Sequence, residues 1–229
     1  MTSLANYRRE DSIGVVTLDD GKRNALSPQM LAAINAALDQ AEQHQVPLVV
    51  AGREGTFSAG FDLGVLMNGG GDATAMLRAG FELGERLLRF PTPVVIACTG
   101  HGLAMGSFLL LAADYRIGAG GPFKIGANEV AIGITMPYFA IEICRQRLSP
   151  AHFHRAVITA EIYSPEAAVD AGFLDRVVPA GEVVAAAREV AAQFAKLNLS
   201  AHAATKLRAR EHTLRAIRTA IEADIAALA

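Results

Sequence analysis

Short apolar runs alternate with helical patterns along the first half of the chain. Three of these runs are rich in β-branched residues, which is typical of strands buried on both faces: Ile13 to Leu18, Pro47 to Ala51 and Pro93 to Thr99. A polar or glycine-rich loop follows each run, and apolar residues at helical spacing follow the loop. Ser27 and Pro28, for example, begin a predicted helix that extends to Glu42. This recurrence of strand, loop and helix predicts an α/β fold.

The stretch from 93 to 137 is the part around which the rest is organised. After its strand and a glycine-rich turn, Met105 to Ala113 reads MGSFLLLAA, and a helix without a polar face belongs in the interior. Its amino end therefore faces an enclosed space. Free N–H groups and the positive pole of the helix dipole would suit a developing oxyanion there. A helix packed only for stability gives the same pattern, and that alternative stays open.

Two glycine-containing loops precede this stretch. In GREGTFSAGFDLG, small side chains at Ser58, Ala59 and Gly60 let a ligand approach the backbone closely. Asn68 through Asp72 contains three consecutive glycines and predicts a mobile connector. A helix from about Ala73 to Phe90 leads back to the central stretch.

The last third of the chain is mainly helical. Ser-Pro pairs at 149 and 164 predict two helix starts, Gly172 ends the second helix, and Phe173 to Val178 is a short strand. A helix from Glu182 to Leu197 follows, and Ser200 is predicted to cap a long final helix. An apolar stripe runs along that helix: Leu207, Leu214, Ile217, Ile221, Ile225 and Leu228. Internal packing and a subunit contact both fit it, and we predict a core at 1–195 with a C-terminal helical oligomerisation segment at 196–229.

Composition narrows the possible partners. Of the 229 residues 52% are hydrophobic, and 21 Lys and Arg against 23 Asp and Glu give a net charge of -2. No basic field favours nucleic acid or an anionic membrane. The two cysteines do not resemble a disulfide framework, and MTSLANYRREDS lacks the apolar segment of a signal peptide. We therefore expect a soluble, cytoplasmic protein.

Several common site types do not fit the residues. GHGLAMG has Met105 where a dinucleotide fingerprint needs its third glycine, and neither Ser58 nor Ser107 stands in G-x-S-x-G. The six histidines show no ligand spacing beyond His152 and His154. We predict no metal and no separate cofactor.

Four segments in order resemble one family closely. The enoyl-CoA hydratase/isomerase, or crotonase, superfamily has segments similar to KRNALS, GTFSAGFDL, TGHGLAMGSFLLLAADYRI and GANEVAIGITMP. The resemblance covers roughly residues 10 to 180. It implies a crotonase-like spiral of ββα repeats followed by a C-terminal helical region, assembly as a trimer or hexamer, and an acyl-CoA thioester as substrate.

The resemblance also assigns roles to residues. The thioester oxygen would be held by the backbone N–H groups of Phe61 and Met105, which lie at glycine-permitted turns. The nucleotide end of coenzyme A would contact these positions: Lys22, Arg23, Ala25, Ala59, Gly60, Asp62 and Leu63. Two alternatives stay open. Lys22 and Arg23 could be solvated turn cations, and Asp62 could simply cap the next helix.

One departure from the family pattern concerns the reaction. Hydratases of the family carry two glutamates, but the first position here is Phe108 and only the second matches, at Glu129. One carboxylate can move a proton from C2 to C4, which is an isomerisation. Apolar walls that include Phe108 and Ile134 would raise the pKa of Glu129. The leading hypothesis is a Δ3,Δ2-enoyl-CoA isomerase; a hydratase or another acyl-CoA reaction, and a non-catalytic acyl-CoA binder, are the alternatives.

Overall fold

The computed structural model describes residues 4–228. Within them the strands are β1 (Ala5–Glu10), β2 (Ile13–Leu18), β3 (Leu48–Ala51), β4 (Gly55–Ser58), β5 (Val94–Cys98), β6 (Gly100–Leu103), β7 (Tyr115–Gly120), β8 (Ile125–Gly126) and β9 (Arg176–Pro179). The α-helices are α1 (Pro28–His44), α2 (Leu63–Asn68), α3 (Gly70–Leu88), α4 (Met105–Ala112), α5 (Tyr138–Arg145), α6 (Pro150–Ile158), α7 (Pro165–Ala171), α8 (Val183–Phe194), α9 (Leu199–Ala209) and α10 (Glu211–Ala226). Short 3-10 helices occupy Val130–Ile132 and Ala180–Glu182.

Two sheets carry the successive repeats. The larger sheet has the order β1-β2-β3-β5-β7-β9, and the smaller one has the order β4-β6-β8. Only β1 and β2 pair antiparallel; the other neighbours are parallel. The strand pairs β3 and β4, β5 and β6, and β7 and β8 each add one strand to each sheet. Helices follow the first two of these pairs. This arrangement is the expected ββα spiral with a C-terminal helical region.

Apolar side chains cover both faces of the larger sheet. On one face Val49, Val95 and Ile117 pack with side chains of α8. On the other face residues such as Val50 and Ile96 belong to the main core, to which α1, α3 and α4 contribute. Burial on both sides explains why these strands read as continuous apolar runs rather than as alternating ones.

The prediction of a mobile connector at Asn68 to Asp72 is wrong. Helix α2 ends at Asn68, α3 begins at Gly70, and only Gly69 lies between them. Gly69 and Gly70 have φ of 63° and 71°, so glycine serves there as a sharp joint between two helices. Burial of Met76 and Phe81 stabilises α3, and tertiary packing of this kind overrides the low helix propensity of glycine.

The C-terminal helices also differ from the prediction. Asn198, not Ser200, caps α9, because its side chain accepts a hydrogen bond from the Ala201 N–H. The long helix is in fact two helices, α9 and α10, that meet at Arg210. Strand β1 was not predicted, and β9 begins at Arg176 rather than at Phe173.

Helix α10 packs against the same chain. Ile217 and Ile221, in the middle of the predicted stripe, are fully buried, and Arg78 of α3 pairs with Glu222 at 3.0 Å. The centre of the stripe is therefore used internally. Oligomerisation through residues 196–229 stays a prediction.

A buried ion cluster attaches α9 to the larger sheet. The Asp114 carboxylate lies 2.7 Å from Lys206 Nζ and 2.9 Å from Arg210, and it also accepts the Val94 N–H. Burial lowers the pKa of Lys206 to about 8. The Lys206 side chain is thus buried and paired with Asp114 of the same chain.

Candidate active site

Parallel pairing of β4 and β6 brings two turns together. The loop after β4 contains Gly60, and the turn after β6 leads through Ala104 into α4. A Cβ atom on Gly60 would lie 2.7 Å from the Ala104 Cβ and 3.3 Å from the Met105 nitrogen. Gly60 also has φ of +91°, a conformation that L side chains rarely adopt. Only glycine allows this approach, and it places the Phe61 and Met105 amides in adjacent turns.

Both amides are available as donors. Within residues 4–228 neither the Phe61 nor the Met105 N–H donates a hydrogen bond. Met105 is fully buried, and buried backbone N–H groups without a partner are rare in proteins. The Met105 N–H also belongs to the first turn of α4, where the helix dipole favours negative charge. The pair is suited to holding a carbonyl oxygen.

Backbone strain is concentrated at the same turn. Ala104 has φ of 50° and ψ of -130°, although it is not glycine. Such a conformation costs about 1–3 kcal/mol and is found most often at functional sites. The small side chain of Ala104 reduces the clash, since its Cβ faces Gly60. The packing of Gly60 against Ala104 holds this strained conformation, and with it the geometry of the turn that precedes α4.

An apolar cavity of about 550 Å³ adjoins these turns. Its walls come from the loop after β4, from α2 to α5, from the segment after β8 and from α10. The lining residues are Ala59, Phe61, Leu63, Leu66, Leu77, Phe81, Ala104, Phe108, Asn128, Glu129, Ile132, Ile134, Thr135, Met136, Pro137, Tyr138, Ile141, Asp224, Ala227 and Leu228. A cavity of this size and apolar lining is typical of a small-molecule binding site.

Glu129 is the titratable group buried in this cavity. The residue is only 7% exposed, and its Oε2 has no hydrogen-bond partner within the described residues. Burial raises the pKa of Glu129 to about 7, although the backbone N–H groups of Asn128 and Glu129 act in the opposite direction. A carboxyl group with this pKa exchanges protons readily near neutral pH.

The cavity offers no second free carboxylate among the described residues. Asp224 also lines it, but its two oxygens accept the N–H groups of Tyr138 and Phe139, each at 2.8 Å. Phe108 is buried in the wall, and its ring meets the ring of Phe139 edge to face at 6.5 Å. Ile134 lies at the rim, where it is 40% exposed. The predicted pocket residues Phe108 and Ile134 thus both line the cavity.

The segments predicted to hold coenzyme A lie side by side. The Ala59 N–H donates to the Arg23 carbonyl at 3.0 Å, and the Leu26 N–H donates to the Gly60 carbonyl at 2.8 Å. The Asp20 carboxylate accepts the N–H groups of the neighbouring turn, at Lys22, Asn24 and Ala25. The Lys22 and Arg23 side chains are exposed beside Ala59, which itself lines the cavity.

Asp62 has a structural task in this chain. Its carboxylate accepts the N–H of Gly64 at 2.8 Å and of Val65 at 3.3 Å, so it caps α2. Leu63, the next residue, is 57% exposed at the cavity. The capping alternative for Asp62 is correct, and a contact of Asp62 with coenzyme A stays a prediction.

Sequence reasoning missed several cavity residues. Leu77 and Phe81 are four residues apart on α3 and share a face, so helical periodicity could have indicated them. Asn128 was adjacent to the predicted Glu129. Asp224 and Leu228 of α10 gave no signal, because they approach the cavity only through tertiary packing.

Neither a membrane-spanning helix nor a metal cluster is found in the described part of the chain. No helix in residues 4–228 has the length and apolarity needed to cross a bilayer. Among the same residues no three His, Cys, Asp or Glu side chains converge as metal ligands would. The absence of a metal or separate cofactor stays a prediction.

Comparisons with known proteins agree with this architecture. Human mitochondrial enoyl-CoA delta isomerase 1 is 29% identical over 219 residues, which cover 93% of this chain and 72% of the human protein. A probable enoyl-CoA hydratase of Bacillus subtilis is 28% identical over 80% of this chain and 73% of its own length. These relatives carry both reaction names.

A solved structure is more similar in sequence. The apo structure of an enoyl-CoA isomerase from Mycobacterium tuberculosis is 49% identical, with a TM-score of 0.95 and 99% of each chain covered. A second structure of the same protein is named a probable enoyl-CoA hydratase; it is 49% identical, with a TM-score of 0.93, and covers 96% of this chain and 93% of that one. The names therefore do not decide between the two reactions.

The family assignment rests on nearly the whole length of the chain. The model of the enoyl-CoA hydratase/isomerase family matches residues 8–229. That match includes both turns of the donor pair and Glu129. This chain therefore belongs to the enoyl-CoA hydratase/isomerase family, and it is an acyl-CoA enzyme with the crotonase fold.

Proposed function

We propose that the protein moves the double bond of a 3-enoyl-CoA to the trans-2 position. The observation that carries this proposal is that, among the described residues, Glu129 supplies the one free carboxyl group of an otherwise apolar cavity, next to two unpaired backbone N–H groups. An isomerisation needs one group that removes and returns a proton, whereas the hydration expected from the family pattern uses two carboxylates.

The proposed reaction has two proton transfers. The thioester oxygen accepts hydrogen bonds from the Phe61 and Met105 N–H groups, which acidifies the C2 protons. The Glu129 carboxylate removes one C2 proton, and the electron pair moves into a dienolate whose negative charge lies on the thioester oxygen. Protonated Glu129 then returns the proton to C4, the C2=C3 double bond forms, and the carboxylate is regenerated.

Phe108 supports isomerisation over hydration. Hydration requires a group that holds and activates a water molecule at C3. Phe108 is buried in the wall at the position of the first family glutamate, and its ring can neither accept a proton from water nor donate one. Asp224, the other carboxylate of the lining, is engaged by two amides.

Glu129→Gln keeps the size of the side chain and removes its basicity. We expect the conversion of 3-enoyl-CoA to trans-2-enoyl-CoA to slow by about 10²–10⁴-fold, the usual contribution of a positioned acid or base. The rate is measured in steady state with purified enzyme. Glu189→Gln, an exposed position on α8, should retain the wild-type rate.

Equal rates for wild type and Glu129→Gln would remove Glu129 from the mechanism. Hydration of crotonyl-CoA is measured in parallel. A hydration rate well above the isomerisation rate would favour the hydratase. Tight binding of acyl-CoA esters without either reaction would indicate a non-catalytic binder.

Gly60→Ala tests the donor pair. The new methyl group would lie 2.7 Å from the Ala104 Cβ and 3.3 Å from the Met105 nitrogen, so the two turns must separate. Loss of one oxyanion donor lowers kcat by about 10²–10³-fold. Gly55→Ala is the matched control, because Gly55 also has positive φ, 78°, but a Cβ there meets no atom within 4 Å. Similar losses of kcat in both variants would argue against a special role for the approach.

The rate should depend on pH through Glu129. Because the pKa of Glu129 is raised to about 7, the free enzyme holds the inactive protonated carboxyl below that pH and the active base above it. We expect kcat/KM to rise about tenfold per pH unit up to about pH 7 and then to level off. A profile that is flat from pH 5 to pH 9 would contradict the assignment of Glu129 as base.

A further inference from the structure

Two hydrogen-bond acceptors in the apolar cavity beside Glu129 lack donors. Asn128 Oδ1 and Glu129 Oε2 are both shielded from solvent, and neither has a partner within residues 4–228. The two residues are adjacent in the chain, and both line the same cavity. The Asn128 side chain has no part in the proposed proton transfer, so its buried oxygen needs another explanation.

Leaving such atoms unpaired is costly. A buried acceptor without a partner has lost its hydrogen bonds to water and gained none from the protein. A water molecule has two O–H groups and can donate to both oxygens at once. The cavity volume of about 550 Å³ far exceeds the space that one water needs.

The other polar groups near Glu129 do not supply the missing donors. Asp224 is an acceptor whose oxygens are occupied by the Tyr138 and Phe139 amides. Burial, and to a smaller extent the nearby Glu129 carboxylate, raises the pKa of the Cys144 thiol, but this thiol makes no hydrogen bond to Glu129 Oε2. Tyr138 lies at the rim and is 60% exposed. The Thr135 hydroxyl lines the cavity and the backbone N–H groups of Asn128 and Glu129 lie close to the carboxyl group, but none of them donates to Asn128 Oδ1 or Glu129 Oε2. A small donor from solvent can supply both bonds.

We propose that Asn128 Oδ1 and Glu129 Oε2 together bind one water molecule, and that Asn128 is thereby a positioning residue for the proton-transferring carboxyl group. This inference rests on the proposed isomerase function. It adds a consequence for the path of the proton: a proton removed from C2 exchanges with the bound water before Glu129 delivers a proton to C4.

An isotope label follows this exchange. The substrate is a 3-enoyl-CoA that carries deuterium at C2, and the reaction runs in ordinary water. Removal of deuterium gives a deuterated carboxyl group, which trades its deuterium for a hydrogen of the bound water. Wild type should therefore place mainly solvent hydrogen at C4.

Asn128→Leu has nearly the same shape but cannot hold the water. We expect this variant to retain at least about twofold more deuterium at C4, since direct return from Glu129 then competes better. Loss of the water also removes a hydrogen bond to the carboxylate, so the acid limb of kcat/KM should move up by about one pH unit. Asn68→Leu, the same exchange at an exposed position outside the cavity, should match wild type in both measurements.

The outcomes separate this inference from the proposed function. If Glu129→Gln is inactive but wild type and Asn128→Leu retain equal label and share one pH profile, the water site is wrong and the isomerase stands. If Glu129→Gln isomerises as fast as wild type, the proposed function itself fails.

A crystal structure of the wild-type enzyme gives a test that does not depend on any variant. It should show a water within hydrogen-bond distance of both Asn128 Oδ1 and Glu129 Oε2. Empty density between the two oxygens would overturn the proposal even if Asn128→Leu failed to fold.

Discussion

The close approach of two backbone turns is the constraint on which the site depends. Gly60, which has no side chain, packs against Ala104, whose backbone is strained with φ of 50°. This contact orients the Phe61 and Met105 amides. Pairing of β4 with β6 sets the distance between the turns, and the apolar helix α4 holds the second turn from behind. A single methyl group at Gly60 would therefore act on the donors of both segments.

Burial connects this constraint to the proton chemistry. The same packing that encloses α4 also encloses Glu129, and loss of hydration raises the pKa of its carboxyl group. Because the pKa of Glu129 is raised from 4.5 to about 7, this burial costs stability that grows as the pH rises between these two values and stays constant above about pH 7. Asp224 shows the contrast: its oxygens are saturated by amides, so it stabilises the junction of α10 with α5.

Sequence patterns predicted the features that are local. The strand at Ile13 to Leu18 and the buried helix from Met105 were correct because apolar runs report burial directly. The family-like segments further indicated Glu129 and the two donor turns, which the structure brings to one cavity.

Features that depend on tertiary packing were not predictable. Three consecutive glycines suggested a mobile connector. The helix α3 nevertheless starts at Gly70, because burial of Phe81 and its neighbours stabilises it. The two C-terminal helices were read as one because no glycine or proline marks the break at Arg210. Asp224 and Leu228 reach the cavity from a helix distant in sequence, and no local pattern encodes that contact.

The most direct test of the central claim is a crystal structure with an unreactive acyl-CoA analogue. The account predicts that the thioester oxygen lies within hydrogen-bond distance of both the Phe61 and Met105 nitrogens, with the Glu129 carboxyl group facing C2 and C4. A thioester bound away from these nitrogens, or a Glu129 side chain turned toward bulk solvent, would contradict it.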